Sequence, residues 1–393
     1  MKVLLVNKYW YIRGGAERVV FATKKLLEEH GHEVQIFGMK HPENTIENDY
    51  FIDFIDYSQV RGLGRVRDAL KSIYNVDAKN KFRKLVEDFG PEVIHIHNIY
   101  HQLSFSLLDV VQEKGIPCVM TLHDYKMISP NYNLFHHGKI DESCCGSHYY
   151  RCLLNNCMEH GGESIIATGE ACVRAWKKWA RAIDTYISPS NFLKEKFVSC
   201  GFERDIHVIH NPFDFNPQEV GVVPGRGVLY IGRLGQEKGV LLLPEIAKKT
   251  PHITYTVVGD GPLKKQLEDL AIPNIVYVGY TSGKELDTIM CNARVVVVPS
   301  QWYENYPLSI LEAKAYGKPV VASRIGGVVE MLPQHMLCDP ANVDEFSQTI
   351  EMWYNADDRE LVKVGRDLQT QVQEQNNGEA YYTQLVSIYE NFV

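Results

Sequence analysis

No run of apolar residues in the chain approaches the roughly 18 that a membrane-spanning helix needs. The opening MKVLLVNKYW turns polar too soon for the core of a signal peptide. Both absences predict a soluble cytoplasmic protein. A basic excess is missing as well. Lys and Arg number 41 against 49 Asp and Glu, a net charge of −8, which is not the field that a nucleic-acid backbone demands, so nucleic acid is not an expected partner. There is no low-complexity tract and no short internal repeat. Cysteine is present, nine residues in all, but not as a secreted disulfide framework. Cys118, Cys172, Cys200, Cys291 and Cys338 are scattered through apolar or helical contexts, where reduced, buried thiols are common. The first loop lacks G-x-G-x-x-G, and the second strand ends EVQIFGMK without an acid for an adenosine ribose. A dinucleotide cofactor is therefore disfavoured.

What the sequence does contain is repeated α/β alternation. With 393 residues the chain is long enough for two cores. KVLLV, GGAERVVFATKKLLEEH and EVQIF read as strand, helix, strand. VIHIH, CVMTL and TYIS read as further buried strands, which argues for a parallel sheet. A second alternation runs from GVLYIG through ITYTVVG, IVYVG, VVVVPS and LSILEAKAY to PVVAS. The expected organisation is an N-terminal Rossmann-like domain over 1–200 with a cysteine-rich loop at 141–160, and a Pro/Gly-rich linker over 201–226. A C-terminal Rossmann-like domain over 227–365 and a helical tail over 366–393 follow. Leu385, Ile388 and Tyr389 give that tail an apolar face that could pack on either domain.

Several residues fall where such sheets do chemistry. Gly14 and Gly15 stand where the first loop meets the first helix, placed either to cradle a phosphate or simply to turn the chain. Arg233 and Lys238, in YIGRLGQEKGV, follow a strand directly, at the edge where open α/β sheets bind ligands; two cations there suit a diphosphate, although solvated surface charge is the ordinary role of both. In PSQWYENYPLSILEAKAYGKPVVAS, Pro307 suits the first turn of a helix. Glu304 then lies in the loop ahead, and Glu312 shares a helix face with Leu308 and Ala315, partly inward. An inward carboxylate can take two hydrogen bonds from a vicinal diol such as a ribose, but glutamate is also simply a good helix former. His123, in TLHDY, sits at a strand end, where a lone histidine is more often structural. DESCCGSHYYRCLLNNCMEHG brings Cys144, Cys145, Cys152 and Cys157 beside His148 and His160, enough for a tetrahedral zinc site. The spacing matches no C-x2-C pair, however, and Asp141 stands where one would want a cysteine. Unligated thiols or a disulfide are favoured over zinc. RGLGRVRDALKSIYN and VRAWKKWARAI mix basic and apolar residues, as a helix resting on an anionic membrane does, and as an ordinary amphipathic helix does.

Taken together, GGAERV, YIGRLGQEKGV, VVGDGP and PSQWYENYPLSILEAKAYGKPVVAS followed by GGVVE resemble, in order and spacing, the group 1 family of retaining GT-B glycosyltransferases. That family includes glycogen synthases and bacterial mannosyltransferases. VIHIHN, TLHDY and YISPSNF add to the likeness, which covers nearly the whole chain. The resemblance implies a GT-B fold, two Rossmann-like parallel-sheet domains facing each other across a cleft that holds a nucleotide-sugar donor. It implies that Glu312 binds the ribose hydroxyls, that Glu304, Asn305, Tyr306, Pro307 and Leu308 face the donor, and that Tyr280 lies by the nucleobase. Arg233 and Lys238 would neutralise the leaving diphosphate, Gly14 and Gly15 would donate from the first domain, and His123 would lie near the reacting centre. No metal and no cofactor are implied. The acceptor would be a saccharide or lipid-linked saccharide, in cell-surface polysaccharide assembly, with the enzyme cytoplasmic or resting on the inner face of the membrane. The rivals are a sugar-nucleotide epimerase or phosphorylase on the same architecture, and a non-catalytic sugar-nucleotide-binding relative.

Overall fold

The computed structural model describes residues 1–46, 48–55, 63–215 and 221–392. Positions 216–220 of the expected linker, and Arg61 and Gly62 of the first basic stretch, lie outside the described residues. The chain forms two compact units, one built on each run of alternation.

The first unit contains β1 (Lys2–Val6), β2 (Glu33–Phe37), β3 (Val93–Ile96), β4 (Cys118–Thr121), β7 (Thr185–Ser188) and β8 (Ile206–Val208), and two short strands, β5 (Phe135–His136) and β6 (Lys139–Ile140), fall in the long connection after β4. Six strands make one sheet in the order β2-β1-β3-β4-β7-β8, and every pairing is parallel. Strands covered on both faces must be apolar throughout, and VIHI, CVMT and TYIS are buried at every position. The helix Gly15–Glu29 turns Val19, Val20, Leu26 and Leu27 inward. Val76–Phe89 starts where the Asn75 side chain accepts from the Ala78 N–H at 3.1 Å and stops at left-handed Gly90; such a cap contributes about 1 kcal/mol.

The second unit repeats the plan with β9 (Val228–Ile231), β10 (Tyr255–Val258), β11 (Ile275–Gly279), β12 (Val295–Val298), β13 (Val320–Ser323) and β14 (Leu337–Cys338). Their order is β11-β10-β9-β12-β13-β14. The chain winds outward from β9 through β10 to β11, then returns to the other side of β9 as β12. That reversal opens a crevice beyond the carboxyl ends of β9 and β12, the place where open α/β sheets take ligands.

Three findings modify the sequence reading. The stretch read as linker contains β8, the sixth strand of the first sheet. The expected tail divides: Asp358–Gln375 belongs to the second unit, whereas Gly378–Glu390 returns to the first. There Tyr381 shares a hydrogen bond with Thr23 at 2.7 Å, Tyr389 shares one with His95 Nδ1 at 2.6 Å, and Leu385 joins the core. Each such buried apolar side chain contributes roughly 1.5–3 kcal/mol. Finally, Cys172 and Cys291 are exposed rather than buried. No helix among the described residues is long and apolar enough to cross a membrane.

Candidate functional site

In the second unit the chemistry gathers at the switch point. After β9 the chain makes a tight turn, and Gly239 takes a left-handed φ of 67°; a Cβ there would lie 1.7 Å from the Pro299 carbonyl oxygen. Only glycine allows that approach. It lets the loop after β9 lie against PSQWYE, the loop after β12, and the Gln301 N–H donates to the Glu237 carbonyl at 2.9 Å. Gly326, φ 62°, does the same from the loop after β13, where a Cβ would meet the Glu304 carbonyl oxygen at 2.3 Å.

These contacts place Lys238 against Glu304. The ammonium donates to Glu304 Oε1 at 2.7 Å, the Ser300 hydroxyl donates to the same oxygen at 2.7 Å, and the Lys238 ammonium lies 4.7 Å from the centre of the Trp302 ring. Glu304 is buried. Burial alone would push its carboxyl upward, but the Lys238 charge and the Lys238 and Ser300 hydrogen bonds outweigh it and hold the group below the usual carboxylate range. The result is a fixed carboxylate joined to a cation that is still partly open to solvent, its side chain 26% exposed.

The other expected residues of the second unit lie after β9, β11 and β12. Arg233 stands at the end of β9 with its guanidinium 66% exposed and 3.8 Å from Glu237. Pro307 occupies the N-cap position of the helix Leu308–Ala315, not its first turn; no side chain caps that N-terminus. Asn305, Pro307, Leu308 and Glu312 are half-buried. Tyr306 points into the core, where its hydroxyl accepts from Asn376 Nδ2 at 3.2 Å and burial pushes its ionisation to about 12. Tyr280 follows the edge strand β11 and is 72% exposed.

The first unit has a polar cluster of its own at the carboxyl ends of its strands. Gly14 is the extended N-cap of Gly15–Glu29, and buried Glu17 lies in the first turn beside it. Lys8 follows β1, Tyr100 follows β3, and His123 and Asp124 follow β4. The Tyr100 hydroxyl donates to Asp124, the Asp124 carboxylate also accepts from the Lys126 N–H at 2.9 Å, and the Lys8 ammonium sits 3.9 Å from the Tyr100 ring centre. Here desolvation wins. It lowers Lys8 to about 8 and raises both Glu17 and Asp124 above the ordinary carboxylate range, against the pull of neighbouring charges. His123 Nε2 shares a hydrogen bond with His97 Nδ1 at 2.9 Å, and His95 bridges Thr121 and Tyr389. Burial lowers His123 to about 4 and His95 to about 3, and takes His97 well below its ordinary value, so all three imidazoles are neutral near pH 7.

Lys8, Glu17, His97, Tyr100, Asp124 and Ser300 were not singled out from sequence. The signal for most of them was position: each of Lys8, His97, Asp124 and Ser300 lies within three residues of a strand's carboxyl end. Among the described residues, the side chains that could hold a metal are Cys144, Cys152 and Cys157, together with His136, Asp141 and Cys157. His148 and His160 are exposed and stand outside both groups.

Comparison with known proteins gives matches to both halves. Residues 217–367 match the family described as glycosyl transferases group 1, and residues 13–154 match glycosyltransferase family 4. An uncharacterized glycosyltransferase of Methanocaldococcus jannaschii is 34% identical over 333 residues, 78% of this chain and 75% of that protein. An uncharacterized 42.6 kDa protein in the cps region of Klebsiella pneumoniae is 24% identical, covering 90% of this chain and 94% of that one. Among solved structures, sucrose-phosphate synthase from Thermosynechococcus elongatus superposes with a TM-score of 0.71 at 18% identity, over 100% of this chain and 98% of that one. Anabaena HepE in complex with UDP-glucose gives 0.64 at 18%, over the whole of both chains. Likeness at that identity carries the fold.

Proposed function

We propose, from the premise that the chain belongs to the group 1 glycosyltransferases, that it moves a sugar from a nucleotide diphosphate donor to a saccharide or lipid-linked saccharide acceptor, retaining the anomeric configuration. The observation that carries this reading is the Lys238–Glu304 contact at the carboxyl ends of β9 and β12. A cation fixed there by a buried carboxylate suits a diphosphate, whose negative charge grows as the bond to the sugar breaks. Arg233, exposed at the same strand end, supplies a second cation, and together they support charge stabilisation that needs no metal. Glu304 is already committed to Lys238 and Ser300, which favours a positioning role on the donor sugar over that of a covalent nucleophile. Glu312 takes the ribose hydroxyls. Tyr306 serves the donor only through its backbone, and exposed Tyr280 offers its ring to the base.

In the first unit, Gly14 and Gly15 open a helix whose N-terminal N–H groups suit a phosphate. The neutral imidazole of His123 and the Asp124 carboxyl, raised by burial, are suited to hydrogen-bond hydroxyls of sugar and acceptor. Retention follows if the acceptor hydroxyl attacks from the face that the diphosphate leaves, giving its proton to a departing phosphate oxygen. The pathway we assign is surface polysaccharide assembly in the cytoplasm. Contact with a membrane fits Trp176, 77% exposed, next to Lys177 and Lys178 in one of the two basic stretches.

Thermal denaturation against UDP, GDP, ADP and their sugar conjugates tests the donor site, since a ligand that binds the folded state raises the melting temperature. A rise with one base names the donor class; no rise with any would overturn the donor reading. Glu312→Ala should weaken binding of that nucleotide in calorimetry, and unchanged affinity would remove Glu312 from the ribose. A hydrolysed or epimerised donor, with no sugar appearing on any acceptor, would favour the epimerase or non-transferring rivals.

A further inference from the structure

The long connection between β4 and β7 contains a cluster that sugar transfer does not use. Cys144, Cys152 and Cys157 are buried, at 1%, 0% and 2% exposure, and their sulfurs all lie within 4.8 Å of one another. Cys144 Sγ and Cys157 Sγ are 3.0 Å apart, and none of the three is in a disulfide. With Met158 beside them they form a hydrophobic cluster of their own, apart from the main cores. Three thiols and a thioether bury little apolar surface by themselves. Three is also the wrong number for disulfides, because one pair would leave a buried thiol over. It is the right number for three corners of a tetrahedron, in which metal–sulfur bonds of about 2.3 Å set the sulfurs roughly 3.8 Å apart.

A candidate fourth ligand lies beside Cys157. His136 is buried, and a ring nitrogen, an Asp141 oxygen and the Cys157 sulfur lie within 4.8 Å of one another. His136 Nε2 is 2.6 Å from Asp141 Oδ2, while His136 Nδ1 is buried without a hydrogen-bond partner. The Asp141 carboxylate, held by the Ser143 N–H at 2.7 Å and by Asn155 Nδ2 at 3.3 Å, accepts the Nε2 proton. That fixes the tautomer whose Nδ1 lone pair is free to bind. A carboxylate orienting a metal-bound imidazole is a recurrent arrangement.

We propose that Cys144, Cys152 and Cys157, with His136 oriented by Asp141, form a tetrahedral structural zinc site. Binding releases the thiol protons to solvent and leaves no coordination position open, so the metal braces the loop and takes no part in catalysis. The brace reaches toward the first unit's polar cluster: Asn131 Nδ2 donates to the carbonyls of both Cys157, at 2.9 Å, and Phe135, at 3.1 Å, in the segment that follows His123, Asp124 and Lys126.

The test is metal content of the purified full-length chain, with cobalt(II) exchanged for the bound metal. One zinc per chain and an intense thiolate-to-cobalt charge-transfer band are expected. Cys157→Ser and His136→Ala should each lose the metal, Asp141→Asn should bind it 10- to 100-fold more weakly, and Cys145→Ser should keep it. If the ligand variants do not fold, a mercurial added to the wild-type protein should release one zinc to a chromogenic chelator. Chain that stays metal-free after incubation with zinc, or an intact mass two hydrogens light from a Cys144–Cys157 disulfide, would overturn the proposal. So would His136→Ala with undiminished zinc, as to the fourth ligand. None of these readouts depends on sugar transfer.

Discussion

At the edge of the second sheet a carboxylate and an ammonium meet at 2.7 Å, and Glu304 stays ionised although it is buried. At the edge of the first sheet Lys8, Glu17 and Asp124 are gathered within one polar cluster, yet burial raises the two acids and lowers the lysine. Both edges take charge out of water. The difference is contact: a cation directly on the carboxylate offsets the lost hydration, whereas charge spread over several groups and aromatic rings does not. One edge therefore holds a fixed charge, which would suit a diphosphate, and the other holds groups whose charged forms burial disfavours, which would suit hydroxyls.

The sharpest way to break this contrast is Lys238→Met. It strands Glu304 as a buried, unpaired acid, which should cost about 3–5 kcal/mol in urea unfolding, and turnover should fall roughly 10²- to 10³-fold. Unchanged stability would mean that the pair is not what keeps Glu304 charged. Arg233→Ala, at an exposed position, should lower turnover by roughly 10²-fold while leaving the urea midpoint in place; a near-normal rate would remove Arg233 from the mechanism.

Acid should expose the first unit's side of the comparison. His123 and His95 titrate near 4 and 3 when folded and near 6.5 when unfolded. The unfolded chain therefore binds protons first as pH falls. Stability is complete above about 6.5 and declines below it at about 1.4 kcal/mol per pH unit for each histidine, levelling near 4 for His123 and near 3 for His95. Unfolding midpoints measured across that range should flatten in His123→Gln; an unaltered slope would show that His123 is not buried as a neutral ring. Tyr389→Phe should be milder, about 1–3 kcal/mol, by leaving His95 Nδ1 without its partner. Asp124→Asn should be mildest in stability, roughly 1 kcal/mol or less, because the amide keeps an oxygen for the Tyr100 hydroxyl and the Lys126 N–H while removing a charge that burial disfavours. A loss as large as that of Lys238→Met would erase the distinction between the two edges.

Much of this was legible in the sequence because it rests on pattern. Buried parallel strands such as VVVV and CVMT announce themselves by unbroken apolarity, and Lys238 and Glu304 stood in motifs that follow such strands. What stayed hidden depends on partners far away in the chain. β8 and β14 are too short, at three and two residues, to show any period. Tyr306 looked like a site residue because it sits between Glu304 and Pro307, and only Asn376 explains why its hydroxyl turns inward. The cysteine loop resisted reading because His136, which the fold brings beside Cys157, precedes the cysteines in the chain. The tail's apolar face was visible, but its destination was set by Thr23 and His95, more than 290 residues upstream in both cases.

That returning helix orders the protein's synthesis. The strands of the first unit leave the ribosome at the outset, while Gly378–Glu390, which supplies Tyr381, Leu385 and Tyr389 to the same core, leaves after the whole of the second unit. During translation the first unit must wait with that apolar surface bare, a state prone to aggregation and a natural client for chaperones. Its core is complete only once Gly378–Glu390 has emerged, so the half that is made earlier is the half that matures later.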